Sequence, residues 1–318
     1  MDRTITLFDV PQKRLREVQK ALSTLDLANA RLNMDVLARQ YPDHPEIKRE
    51  DTIVRFLEET FSTVTKPAQL FTHYSAFKKL LKESSYIPEY LADLERAYFG
   101  RVVDLAGTEP LGPIYGYPPG YLLLKAGRLE EAKQSLIGEL SQSGITPKKR
   151  AHLLGYLGDV FIAGGEIEEA RRHYVEAILA DTSGIDVKAL LDEDTRALIL
   201  GTYIPEGLGG IWAASVGYIL MVFPSPVFPD SNELMAFFKE FNRFRSELGK
   251  DDSDETPGRV FYHALVMVEH EMLFRALKGA DMMELRKLMR TVNPALFRFY
   301  TKASIARKNG EDLFEKDR

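Results

Sequence analysis

Histidines and acids are the residues whose spacing could do chemistry. His270-Glu271 begins the H-E-x-x-H arrangement that sets two imidazoles one helical turn apart on zinc, but the second histidine position holds Phe274. One missing ligand destroys such a site. His263 and His270 fall on one helix face, but the rise over seven residues separates them by roughly 10 Å, too far to share a metal. They read as two partly buried histidines or an interface. No E-x-x-H occurs, so a carboxylate-bridged di-iron bundle is not expected. Gly207-Leu208-Gly209-Gly210 lacks the G-K-[ST] and the preceding strand of a phosphate loop. The chain has no cysteine, which removes disulfides, thiolate nucleophiles and cysteine metal sites together. No G-x-S-x-G is present. No cofactor and no metal are expected.

Asp251-Asp252-Ser253-Asp254-Glu255 resembles the D-D-x-x-D/E of helical prenyl-diphosphate enzymes, where paired acids hold magnesium. The resemblance implies an all-helical, magnesium-dependent enzyme acting on a diphosphate. Here the acids lie between Gly249 and Pro257 without a second acidic motif, so a solvated polar loop is the favoured reading. The enzyme stands as the alternative.

The elements that must carry these residues read as helix almost throughout. Leu70, Phe71, Tyr74, Phe77, Leu80 and Leu81 form an amphipathic stripe over 67–83. Further helices are expected at 10–23, 27–40, 44–61, 88–105, up to Leu140, from Arg150, and at 186–200, 207–223, 231–247, 259–278, 280–291 and 294–308. Ala106–Tyr121 holds four prolines and four glycines and reads as a turn-rich connector. No strand-length alternation of apolar and polar residues appears, so the fold class is all-α. Gly207–Pro229 carries no charge. Its core, Leu208–Phe223, is shorter than the about 20 residues a spanning helix needs, and reads as a helix buried on all sides, with insertion into a membrane or partner as the alternative.

The chain repeats itself at an offset of 38 residues. Gly127 corresponds to Gly165, Leu129 to Ile167, Glu130-Glu131 to Glu168-Glu169, Ala132 to Ala170 and Leu136 to Tyr174; upstream, Gly120 corresponds to Gly158 and Leu123 to Phe161. Small residues such as Gly158 and Ala170 let antiparallel helices approach, Phe161 and Tyr174 fill the space beside them, and Gly165 suits a left-handed cap. Ala30-x₃-Met34 is a weaker third trace, and Gly279–Met289 a weaker fourth.

Leu157-Gly158-x₂-Phe161 followed by Ala170-x₃-Tyr174 resembles the tetratricopeptide repeat, with Leu154 where that signature has tryptophan. The offset departs from the family's 34 residues, and Pro118-Pro119 shortens the first helix of the earlier copy. The resemblance implies a right-handed α-α superhelix of antiparallel hairpins with a concave groove for a peptide or helix of another protein. The family's groove residues come from the first helix of each hairpin. Here those places hold Tyr117, Tyr121, Leu124 and Lys125, then His152, Asp159 and Ile162. Tyr121 and Leu124 read equally well as core. A row of lysines and asparagines that would clamp a C-terminal carboxylate is absent from these positions.

Three regions are expected. Residues 1–105 are helical hairpins, either degenerate repeats or a separate domain. Residues 106–185 are the tetratricopeptide-like pair, and 186–318 form a helical region with a buried apolar helix. The 318 residues carry a net charge of −5, which advertises no nucleic acid. The basic runs Lys13–Arg16 and Lys148–Arg150 read as solvated helix ends. The N-terminal stretch has no apolar run before a small-residue cleavage site, so a cytoplasmic protein is expected. The leading expectation is a non-catalytic scaffold or adaptor that binds another protein, without nucleic acid or membrane contact; a peripheral subunit of a membrane complex is a further alternative.

Overall fold

The computed structural model describes residues 9–82, 88–107, 111–202, 207–250, 255–277 and 280–311. The described residues are all-α; their one β-type pairing is the isolated bridge Ile114–Tyr117. The chain divides into two compact units, Met1–Ser135 and Leu136–Arg318.

The first unit contains α1 (Asp9–Ser23), α2 (Leu27–Gln40), α3 (Pro45–Thr63), α4 (Pro67–Lys82), α5 (Pro88–Asp104), α6 (Pro119–Lys125) and the start of α7 (Leu129–Leu140). Four of these helices begin at a proline, whose fixed φ and missing N–H suit the first turn. Tyr98 sits at the centre. It is fully buried, stacks on Phe77 at 4.5 Å and donates to the Leu70 carbonyl at 2.8 Å. The buried carboxylate of Glu50 accepts from Gln19 at 2.8 Å and Tyr90 at 3.1 Å, so its cost of burial is offset by hydrogen bonds.

The second unit contains α8 (Pro147–Ala163), α9 (Ile167–Ala180), α10 (Glu193–Leu200), α11 (Trp212–Ile219), α12 (Ser231–Glu247), α13 (Glu255–Glu269), α14 (Glu271–Phe274), α15 (Met282–Val292) and α16 (Pro294–Asn309). Helix α13 is the axis of this core: Val260–Val268 are all buried. Arg259, at its start, donates to the carbonyls of Leu179 at 2.6 Å and Ala180 at 2.7 Å. A cation there satisfies the open carbonyls of α9 and complements the negative end of its dipole.

The three copies of the repeat share one turn, which also closes α10, α11 and α16 outside the repeat. In α8–α9 the Glu166 N–H reaches back to the Phe161 carbonyl at 2.9 Å, and Gly165, at φ 82°, donates to Ile162. Arg128 to Leu123 with Gly127 at φ 75° reproduces it, and so does Asp26 to Ala21 with Leu25 at φ 54°. This is the Schellman arrangement, in which a left-handed residue lets the chain reverse. Ala30, Ala132 and Ala170 follow at the same distance and are fully buried, as are Met34 and Leu136; Tyr174 is almost so. At Gly158 a Cβ would fall 2.4 Å from the Tyr174 ring, so close approach explains both residues.

Three helices are shorter than the sequence reading. The one expected over 259–278 stops at Glu269, and His270 caps the separate short α14 rather than sharing a helix with His263. The segment before α10 is a run of turns held by long-range bonds: Asp159 accepts from the Leu191 N–H at 2.8 Å, and Arg171 bridges Asp192, Asp194 and the Val222 carbonyl. The apolar stretch forms helix only over Trp212–Ile219, between a glycine turn and Met221 at φ 60°; Ile211–Gly217 and Ile219 are buried. Among the described residues no helix is long and apolar enough to cross a membrane. Asp251–Asp254 and Lys278–Gly279 lie outside the described residues, and with them the acidic-run reading and the start of the fourth trace.

Candidate functional site

The expected partner-binding residues fall in both units, and each group stands by itself. In the first, a two-residue turn with positive φ at Tyr115 and Gly116 folds Ile114 onto Tyr117 through paired backbone bonds of 3.0 and 2.9 Å. The turn leaves Tyr115 exposed and brings Tyr117 over Phe71 at 5.6 Å. Tyr117 stacks on Tyr121 at 4.6 Å, and Tyr121 meets the edge of Phe99. Lys125 binds Glu95 at 3.1 Å, and Tyr74 donates to the same carboxylate. Burial pushes Glu95 upward, but Lys125, Tyr74 and Lys78 outweigh it and hold the carboxyl below its ordinary range. Tyr117, Tyr121, Leu124 and Lys125 are all half-buried. The shelf is aromatic and partly open, and its charges are matched.

In the second unit, Asp159 is no surface group. It is 2% exposed and accepts from the Tyr174 hydroxyl at 2.7 Å as well as from the Leu191 N–H. Its carboxylate braces the hairpin, which corrects its expected partner-facing role. His152 is half-buried, with Nδ1 3.0 Å from the Gly184 carbonyl and its ring edge-on to Tyr156. Ile162 is half-buried near the end of α8.

A concavity of this unit lies elsewhere. A cleft of about 750 Å³ is walled by the first turn of α8, the outer face of α9, the Pro224–Phe228 loop, α12 and the start of α13. That is the size of a site for a small organic molecule or a short peptide segment. Val175, Leu179, Pro224, Phe228, Phe237 and Phe244 make its apolar surface, and Arg150, Arg172, Arg243, Arg259, Glu176, Glu233 and Glu240 its charged one. On α12, Phe238, Phe241 and Phe244 are buried, while Phe237 is left half-buried beside Phe228 at 5.2 Å.

The proline loop is pinned rather than loose. Ser225 lies 2.7 Å from Nε2 of His270, and Tyr218 approaches Ser225 at 3.4 Å. Burial lowers His270 from its ordinary value, which favours the neutral ring in its hydrogen bond with Ser225. Among the described residues no carboxylate bonds its other nitrogen, and the pair acts as a loop fastener without the orienting third group of a nucleophilic triad.

Deeper in the cleft, His263 is 2% exposed and packs on Phe237 at 4.4 Å. Its Nδ1 lies 2.8 Å from the Arg259 carbonyl, which can only accept, so Nδ1 donates and Nε2 is turned to Glu240 at 3.7 Å. His263, foremost, with Arg243 and Arg150, outweighs the effect of burial and lowers the Glu240 carboxyl. Glu176 goes the other way: burial, with Glu169 and Glu240 nearby, raises it despite Arg150. Among the described residues no group of three acidic or histidine side chains is arranged to hold a metal ion.

The sequence reading did not find this cleft, whose lining is drawn from residues between Pro147 and His263. One signal was present: the stretch Phe237-Phe238-Lys239-Glu240-Phe241-Asn242-Arg243-Phe244 carries more aromatic residues than one helix face buries. Set against family models, curated proteins and solved structures, the chain matches none of them.

Proposed function

We propose that this chain is a non-catalytic cytoplasmic scaffold, built of tetratricopeptide-like helical hairpins in a right-handed superhelix, that holds a peptide or helix of another protein. The observation that carries this reading is the cleft against α9, the second helix of the clearest repeat hairpin. Its apolar surface is bordered by half-exposed charges, the anatomy of a recognition site with an anchor pocket and a polar rim. The recurrence of one Schellman turn before a buried alanine supports the repeat reading.

The test is affinity purification of the tagged chain from its native host beside an Ala236→Trp variant. Ala236 is exposed and lines the cleft, so an indole there fills the space without entering the core. The expected result is a stoichiometric companion retained by the wild type and lost by the variant. A companion kept equally by both sinks the cleft as the binding site.

A further inference from the structure

We infer that the occupant of the cleft is an acidic peptide segment, one that sets a carboxylate side chain beside an aromatic or aliphatic anchor. The inference rests on the peptide-binding reading above and goes beyond it in naming the partner's chemistry.

Helix α8 breaks a local rule at the mouth of this cleft. Its first turn carries Lys148, Lys149 and Arg150 and no acid. Cations there oppose the positive end of the helix dipole, where acids are favoured. Lys149 is offset by Glu139 at 3.3 Å, but Arg150 faces Glu176 at 3.8 Å, beyond hydrogen-bonding distance, and acts on Glu240 only through its charge. A helix start this positive is stabilised by an anion brought to it. Conflicts between local preference and placement are where function is expected.

The other guanidinium groups of the cleft divide into one that is spent and two that are open. Arg259 is consumed by the carbonyls of α9 and by Glu255 at 2.9 Å. Arg172 approaches Glu169 at 3.6 Å without a hydrogen bond. Arg243 makes one bond, to Glu240 at 3.3 Å, while its plane lies 4.6 Å from the Phe244 ring centre. Each guanidinium has five N–H donors, and one stacked on a ring is pre-organised to receive a carboxylate. On the opposite side of the balance, Glu240 is already faced by His263, Arg243 and Arg150, Glu176 has a reduced tendency to ionise, and Glu233 is an exposed acid at the start of α12 that lines the cleft. The cleft therefore offers unfilled cationic donors on a chain whose net charge is −5. Val175, Leu179, Phe228 and Phe237 supply the apolar seat next to them.

The experiment is selection of phage-displayed random dodecapeptides on the full chain, with counter-selection on Ala236→Trp. Arg172→Glu, at an exposed site on α9, serves as the second counter-selecting variant should the first fail to fold by circular dichroism. The expected winners carry Asp or Glu next to Phe, Leu or Trp. Replacing the acid of a synthesised winner by Lys is expected to weaken binding about tenfold or more, as loss of a charge-assisted bond does. The paired substitution Arg150→Glu with Arg172→Glu is expected to cost the acidic peptide at least as much. Neutral or basic winners, or an affinity that ignores both charge changes, overturn the acidic occupant and leave the peptide cleft standing. Failure of any peptide to enrich over the blocked variants overturns the peptide reading itself.

Discussion

The aromatic shelf of the first unit and the cleft of the second use similar residues to different ends. Both present half-buried aromatic rings beside charged groups. On the shelf the circuit is closed: Tyr74 and Lys125 both bind Glu95, and the rings of Phe71, Tyr117, Tyr121 and Phe99 pack on one another. In the cleft Arg150 and Arg172 face acids at 3.8 and 3.6 Å without bonding them. Exposure of aromatic rings alone does not mark a recognition surface, because a core edge exposes them too. Whether the charges beside them are already satisfied is the better discriminator.

That contrast is breakable, and the largest effect is expected in the first unit. Tyr98→Ala removes a fully buried ring and a hydrogen bond beneath the shelf. It is expected to cost about 3–5 kcal/mol in urea unfolding. A cost below about 1 kcal/mol would mean the shelf is loosely packed and open to a ligand after all. Gly158→Ala comes next. Its methyl group would displace Tyr174 and loosen the Asp159 brace, at about 1–3 kcal/mol. Full stability in that variant would remove the close-packing account of the repeat.

The charge circuit of the shelf can be opened directly. Glu95→Gln is expected to cost about 1–2 kcal/mol at pH 7, since it leaves Lys125 without its ion pair. The folded-state pKa of Glu95 is depressed. Its contribution is therefore present above the unfolded value of about 4.3 and lost as pH falls through the lower folded value. The gap in melting temperature between wild type and variant should close on acidification through that window. A gap that widens toward acid contradicts the assigned pairing.

Much of this architecture was legible because local physics controls it. Pro45, Pro67, Pro88 and Pro294 begin helices, and Gly127 and Gly165 take the positive φ that their spacing implied. The third copy was harder to see because Leu25, not glycine, stands at its turn. Helices α10 and α11 were read too long because Asp159 and Arg171 hold the neighbouring chain from afar, and no local pattern encodes such bonds. The same reason hid the cleft. Arg150, Arg172 and Arg243 each look like an ordinary solvated helix residue, and tertiary packing alone brings them to one wall. For Asp159 the family resemblance suggested a surface that burial and two hydrogen bonds have filled.

The smallest stability effect bears hardest on the comparison. Arg150→Gln and Arg172→Gln each alter a half-exposed side chain whose nearest acid is beyond hydrogen-bonding distance. Surface pairs of that kind contribute little, so each is expected to change unfolding free energy by less than about 0.5 kcal/mol. At Arg150 the sign should be slightly favourable, because removing a cation from the first turn of α8 relieves its conflict with the dipole. A residue that costs its own fold a little stability and is easily replaced is one whose use lies outside the fold. A loss above about 1 kcal/mol would instead make these arginines structural, and the cleft would then be as closed a circuit as the shelf.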